Sequence, residues 1–233
     1  MRYDILQTGS DGNCTIIDGM IAIDMGVSQK VIEPYIPDLK LVLLTHEHGD
    51  HFLASTVKAL AKARPTLVWA CGEWMVPHLL EVGVRPQNIH PLPMNEWSSY
   101  GEPVNLMVCP FETHHNVRNC GWLLWRGKMD NLFYATDLGD LDGIEAKGYR
   151  TYLLEANHTR AEIEAAVAEA QETGEYTYRI KAAENHLSYE QAVEWLLENQ
   201  ASWSTWVPMH EHKERGRAGD GREADDLQQD YGP

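Results

Sequence analysis

Long apolar runs are missing from this chain of 233 residues. None approaches the roughly 20 residues a membrane helix requires, so a membrane-spanning helix is excluded. The opening MRYDILQTGS lacks the basic start, apolar centre and small-residue cleavage site of a secretory leader, and the chain is therefore expected in the cytoplasm. Cysteine is scarce too. Cys14, Cys71, Cys109 and Cys120 lie far apart and form no CxxC pair, which argues against a zinc ribbon or thioredoxin motif and for reduced, partly buried thiols. Basic residues are few: 19 Lys and Arg against 35 Asp and Glu leave a net charge of −16. Binding to extended duplex nucleic acid relies on many contacts from Lys and Arg to phosphate, so it is disfavoured. A small anionic ester is not, because divalent cations in a site supply local positive charge of their own.

The hydrophobic fraction, 43%, is ordinary for a globular protein, and the length suits one sizeable core. One domain is expected over residues 1–212. The segment 213–233 is polar and rich in Gly and charge, and is expected to be a disordered tail.

Short apolar runs separated by Gly-containing turns read as strands: YDILQT, CTIIDG and MIAIDMG form a meander in the first 26 residues. KLVLLT, PTLVWAC, VNLMVCP, CGWLLWRG, NLFYATD, TYLLEAN and STWVPM continue the series. FLASTVKALAKA has its apolar residues at helical spacing, TRAEIEAAVAEAQETG reads as a helix closed by Gly174, and Ser188 with Gln191 forms a capping box opening the helix YEQAVEWLLENQ. The alternation implies an α/β fold.

LVLLTHEHGDHF ends a buried strand on three histidines, a glutamate and an aspartate. A buried strand fixes the backbone while the following loop lets side chains converge, and His46 and His48, two apart in extended chain, can turn toward one ion. Lone histidines are usually structural; HxHxDH behind an apolar strand is a ligand pattern.

THEHGDH resembles the signature of the metallo-β-lactamase fold superfamily. PFETHHNVRNCGWLL has the form of its third motif, FYATDLGDL of its fourth and AENHLSYEQA of its fifth. GSDGNC, LLEANH and VPMHEH are similar to segments of its small exonuclease-like members. The resemblance implies a four-layer αββα sandwich holding two divalent metal ions. It places His46, His48 and His114 on the first ion, Asp50, His51 and His186 on the second, and Asp137 between them. The related chains carry His-Asp where this one has His114-His115, so His115 is the alternative ligand there.

Imidazole and carboxylate donors without thiolate suit zinc, and also manganese or iron. Two such ions sharing a water would lower its pKa from 15.7 toward about 7 and supply a bridging hydroxide at neutral pH, which makes hydrolysis the expected reaction. Asp50 is expected to orient that hydroxide, and His158, His210 and His212 are candidates for protonating a leaving group or fixing a ligand. Ser10, Asn13 and Ser188 are candidates for binding substrate oxygens. Arg118, Arg179 and Lys181 are the basic residues nearest the motifs. Trp122 and Trp195 fall in strand and helix patterns and are expected in the core. Aspartate at position 137 and the His-Leu-Ser wording resemble phosphodiesterase and nuclease members, which favours a nucleotide or a nucleic-acid end as substrate. A thioester or lactone hydrolase of the glyoxalase II or lactonase type is the alternative, and an inactive fold kept for binding would have shed ligands that are all present here.

Overall fold

The expected meander forms β1 (Tyr3–Gln7), β2 (Cys14–Ile17) and β3 (Ile21–Ile23), paired antiparallel. This structure is a computed structural model that describes residues 1–174, 180 and 185–211. His212, Arg179, Lys181 and the tail expected over 213–233 lie outside the described residues. From β3 the chain crosses through α1 (Gln29–Ile32) to β4 (Leu41–Leu43), which runs parallel to β3. Then come α2 (Ala54–Ala63), β5 (Val68–Cys71), α3 (Val76–Glu81) and β6 (Ile89–Pro91), which complete a six-stranded sheet in the order β1-β2-β3-β4-β5-β6.

The second sheet starts with β7 (Ser98–Tyr100), β8 (Leu106–Thr113), β9 (Asn119–Gly127) and β10 (Asp130–Ala135), an antiparallel meander. β11 (Thr151–Glu155) and β12 (Thr205–Met209) add in parallel, giving the order β12-β11-β10-β9-β8-β7. α4 (Arg160–Thr173) and α5 (Tyr189–Asn199) lie in the β11–β12 connection. α4 ends at Gly174 in the left-handed region (φ 73°), and Ser188 and Gln191 cap α5 reciprocally, both as the sequence predicts.

Side-chain alternation along buried strands separates three apolar layers. Leu41 and Leu43 of β4 face the second sheet together with Ile21, Ile23, Trp122, Leu132 and Tyr134. Val42 and Leu44 face the other way, onto Val57 and Leu60 of α2 and Leu79 of α3. In the second sheet Phe133, Tyr152 and Leu154 pack outward against Ala192 and Leu196 of α5. Helices therefore cover the outer face of each sheet, which is the expected αββα sandwich. Trp122 is fully buried, and Trp195 packs against Phe133 with ring centroids 5.0 Å apart and donates to the Ile144 carbonyl, so both belong to the core.

β6, β7, α1 and α3 have no counterpart among the sequence-based elements. The two strands are three residues each and the two helices four and six, too short for a periodic pattern to stand out.

Candidate metal centre

The parallel strands of both sheets end on the same side of the sandwich, and that side carries the histidines. Behind β4, Thr45 and His46 are still buried before the chain turns through His48, Asp50 and His51. Gly26, just past β3, lets this loop come close: a Cβ there would meet the Asp50 carbonyl oxygen at 1.7 Å. The Met25 amide donates to the His51 carbonyl and the Leu53 amide to that of Met25, stitching the loop to the first sheet.

Three imidazoles converge at one end of the cluster. His46 Nε2 lies 3.1 Å from His48 Nδ1, and His115 Nε2 lies 3.4 Å from the same atom. Burial pushes His46 well below the usual histidine range, with the charge of His51 adding to it, and burial also lowers His115. Desolvated imidazoles kept neutral present lone pairs, which is what a divalent ion takes. His114, the motif residue expected here, points outward instead: its side chain is 69% exposed and its Nδ1 sits 2.9 Å from Asp140. The β8–β9 turn orients consecutive side chains oppositely, so only one of the pair can reach His48.

At the other end, Asp50, His51, Asp137 and His210 gather, with one ligand atom of each within 4.8 Å of the others. His51 Nε2 lies 2.5 Å from Asp137 and 3.7 Å from Asp50, while His210 Nε2 lies 3.5 Å and 3.6 Å from the same two carboxylates. His210 Nε2 is buried without a hydrogen-bond partner among the described residues. Spacings near 3.5 Å are too long for good hydrogen bonds, but donor atoms about 2.0–2.1 Å from one tetrahedral ion stand roughly 3.3–3.5 Å apart. The donor set and the orphaned nitrogen thus fit a divalent ion. The position taken here by His210 is the one the motif comparison gave to His186. His186 lies one step out, with Nδ1 2.8 Å from Glu155 and 3.5 Å from Asp137.

Two carboxylates hold the rings from behind. Asp24, fully buried at the end of β3, contacts His51 Nδ1 at 2.7 Å and accepts from the Thr45 amide and hydroxyl. Glu155, fully buried at the end of β11, contacts Nδ1 of both His186 (2.8 Å) and His210 (3.1 Å) and accepts from the Leu138 and Leu187 amides. Anchoring Nδ1 turns Nε2 of His51 and His210 to the cluster, the usual carboxylate–histidine arrangement behind a metal. Neither acid was among the sequence-based site residues. The available signal was an acid ending a fully apolar strand, in IAID and TYLLE. Asp24, Asp137 and His210 are also three of the six non-glycine residues at positive φ among the described residues, at 61°, 56° and 56°. Such backbone is costly, and here it aims side chains at strand ends into one site.

The remaining expectations divide. Asn13 is buried, and its amide nitrogen reaches the Asp50 carbonyl at 3.3 Å and His51 Nε2 at 2.8 Å, so it supports the loop bearing the ligands. Ser10 is exposed on the adjoining turn. Ser188 does not face a substrate: it is buried, and its hydroxyl donates to Gln191 Oε1 at 2.7 Å and accepts from the Gln191 amide. His158 is half-buried, with its pKa lowered by burial, and stands outside the three groups of converging ligand atoms.

The charges predict a proton count. Burial opposes charge on His51 and His210, but Asp137 foremost, with Asp24 behind His51 and Asp50 and Glu155 beside His210, outweighs it; His51 is held well above its ordinary value and His210 is raised to about 10. Both raised groups keep a proton up to their folded values, and an ion can take Nε2 only after the proton leaves. Zinc binding to metal-free protein near pH 7.5 should therefore release protons, and apparent affinity should rise as pH rises toward about 10, where His210 loses its proton. Calorimetry in two buffers of different ionisation enthalpy measures the release; a buffer-independent heat would contradict it.

A four-layer αββα sandwich with clustered histidines and carboxylates at its strand ends defines a metallo-hydrolase fold. The chain belongs to the beta-lactamase superfamily domain family, whose model matches residues 20–210. Membership supports a metal-dependent hydrolase, and the His/Asp clusters suit divalent ions. Among solved structures, human tRNase Z, short form, shares 15% identity over 91% of this chain and 92% of its own, with a TM-score of 0.61. A diphosphatase from the PhnP family shares 14% over 90% and 86%, with a TM-score of 0.58. Zn(2+)-bound PqqB from Methylobacterium extorquens shares 12% over 81% of each chain, with a TM-score of 0.59. A curated relative, the cytidine monophosphate-N-acetylneuraminic acid hydroxylase of Danio rerio, is 27% identical over 92 residues, 38% of this chain; the match spans only 16% of that protein. No helix among the described residues is long and apolar enough to cross a membrane.

Proposed function

We propose that the protein is a dinuclear metal phosphodiesterase acting on a nucleotide or a nucleic-acid end. The observation that carries the two-ion part of this reading is that two groups built only from nitrogen and oxygen donors adjoin, the His46 and His51 rings being 4.2 Å apart, with the Asp137 carboxylate in contact with His51 and His210. In this reading His46, His48 and His115 hold one ion, Asp50, His51 and His210 the other, and Asp137 serves both. Zinc is the first choice on donor chemistry, with manganese or iron also suited. Bound ions would supply a nucleophile from water at neutral pH and positive charge for phosphoryl oxygens.

The chain's own groups do the rest. Asp50, kept ionised because His210 and His51 outweigh its burial, is placed to take the proton of an attacking water. His186 takes the leaving-group role for which the sequence offers His158, His210 and His212 as candidates. Burial opposes its charge, but Glu155 raises its pKa above the ordinary histidine value, which favours the protonated form a donor needs, and its side chain is 13% exposed where His210 is sealed in. The likeness to a tRNase Z and a PhnP-family diphosphatase supports a phosphodiester or related anhydride.

The test is a substrate panel on zinc- or manganese-loaded protein: a bis-aryl phosphodiester, a thioester, a lactone and a β-lactam. Metal-dependent cleavage of the phosphodiester is expected. Ready cleavage of the thioester or lactone without the phosphodiester would transfer the assignment to that class, and no cleavage with both ions bound would favour a binding protein.

A further inference from the structure

We propose that Arg118 forms a subsite for a second anionic group of the substrate, such as a terminal phosphate next to the scissile phosphodiester; this rests on the phosphodiesterase reading above. Arg118 closes the turn that carries His115, and the next residue, Asn119, opens β9 and donates to the carbonyls of Thr136 and Asp137 at 3.1 and 2.6 Å. It is thus tied on both sides in sequence to the cluster. β9 runs antiparallel to β10, so its first residue lies at the end where β10 delivers Asp137. Arg2, Lys40, Arg126 and Arg150 stand at the opposite strand ends, and Arg160 is paired with Glu194 at 3.0 Å.

The guanidinium is held ready. Its carbon lies 4.5 Å above the centre of the Trp74 ring, and Nη1 donates to Glu73 at 2.9 Å. Stacking holds the fork against the ring and leaves its edge exposed, and among the described residues four of the five N–H donors that a guanidinium offers have no partner. Glu73 and Trp74 follow β5 at the same end of the sheet, and His78 just beyond them lies 3.4 Å from Glu47 in the ligand loop. A chain of net charge −16 repels anions at large, so one preset arginine at the strand ends that carry the ligands would decide which anionic substrates stay. Glu73 is itself an anion on that fork and would compete with the incoming group.

The probe is dithymidine joined by a methylphosphonate, with and without a 5′-phosphate, bound to the zinc-loaded full chain and followed by calorimetry. Wild-type protein is expected to bind the 5′-phosphorylated form about tenfold or more tightly than the other. Arg118→Gln should erase that difference, Arg118→Lys should keep part of it, and Glu73→Gln should enlarge it. A preference that is absent in wild type, or that survives Arg118→Gln, overturns the proposal. So does a Glu73→Gln protein that behaves like Arg118→Gln, because Arg118 would then be an ordinary rim ion pair. Hydrolysis of the natural phosphodiester dinucleotides is measured alongside. If neither is cut while the binding preference follows Arg118, the phosphodiesterase reading fails and the anion subsite stands.

Discussion

Replacing Asp137 by Ala should abolish turnover, lowering kcat by more than about 10³-fold, or some 4 kcal/mol of barrier. Its carboxylate contacts His51 at 2.5 Å and His186 and His210 at 3.5 Å each, and His51 and His210 outweigh its burial and hold it ionised, well below the usual carboxylate range. Among the described residues no other acid touches all three rings, so the alanine protein would lose the negative charge that the proposed pair of ions would share. Metal content should fall with activity. Circular dichroism should stay unchanged, since β10 and the core beneath it are untouched, His51 keeps Asp24, and His186 and His210 keep Glu155. Turnover within tenfold of wild type would refute the shared role of this aspartate. Asp137→Asn separates charge from shape: it fills the same space, and should be nearly as inactive.

The second large effect distinguishes adjacent histidines. His115→Ala should cost about one bound ion and most of the activity, because it removes one of three imidazoles that meet at His48. His114→Ala should retain both ions, with stability within about 0.5 kcal/mol of wild type. Among the described residues the one polar contact of its side chain is the exposed ion pair with Asp140, and such pairs contribute about 0–1 kcal/mol. Elemental analysis of each purified protein decides the matter; greater metal loss from His114→Ala would reverse the assignment.

Much of the site was legible in the chain because its ligands follow strands whose apolar runs are themselves legible. LVLLT ends on His46 and NLFYAT on Asp137, and each side chain is delivered by a backbone that burial holds straight. The αββα layering was legible for the same reason: the order of long apolar segments, with helical spacing between them, leaves few ways to cover both faces of two sheets. The places where sequence reasoning missed are short elements and questions of direction. β6 and β7, at three residues each, carry too little pattern to register.

Direction is what only the tertiary structure decided. His114 and His115 are equivalent by type and adjacent in sequence, and a turn that alternates side chains sends one to Asp140 and the other to His48. His186 and His210 are alike in residue type, yet the positive φ of His210 and its tie to Glu155 carry its Nε2 to Asp50, while His186 stops at Glu155 and Asp137. Asp24 and Glu155 gained their place through partners 27 and 31 or more positions away in the chain. Residue types and strand ends determined by themselves that this protein gathers imidazoles and carboxylates for divalent ions. Which ring faces which ion depends on dihedral angles and long-range carboxylate contacts, and those exist only once the two sheets have closed on each other.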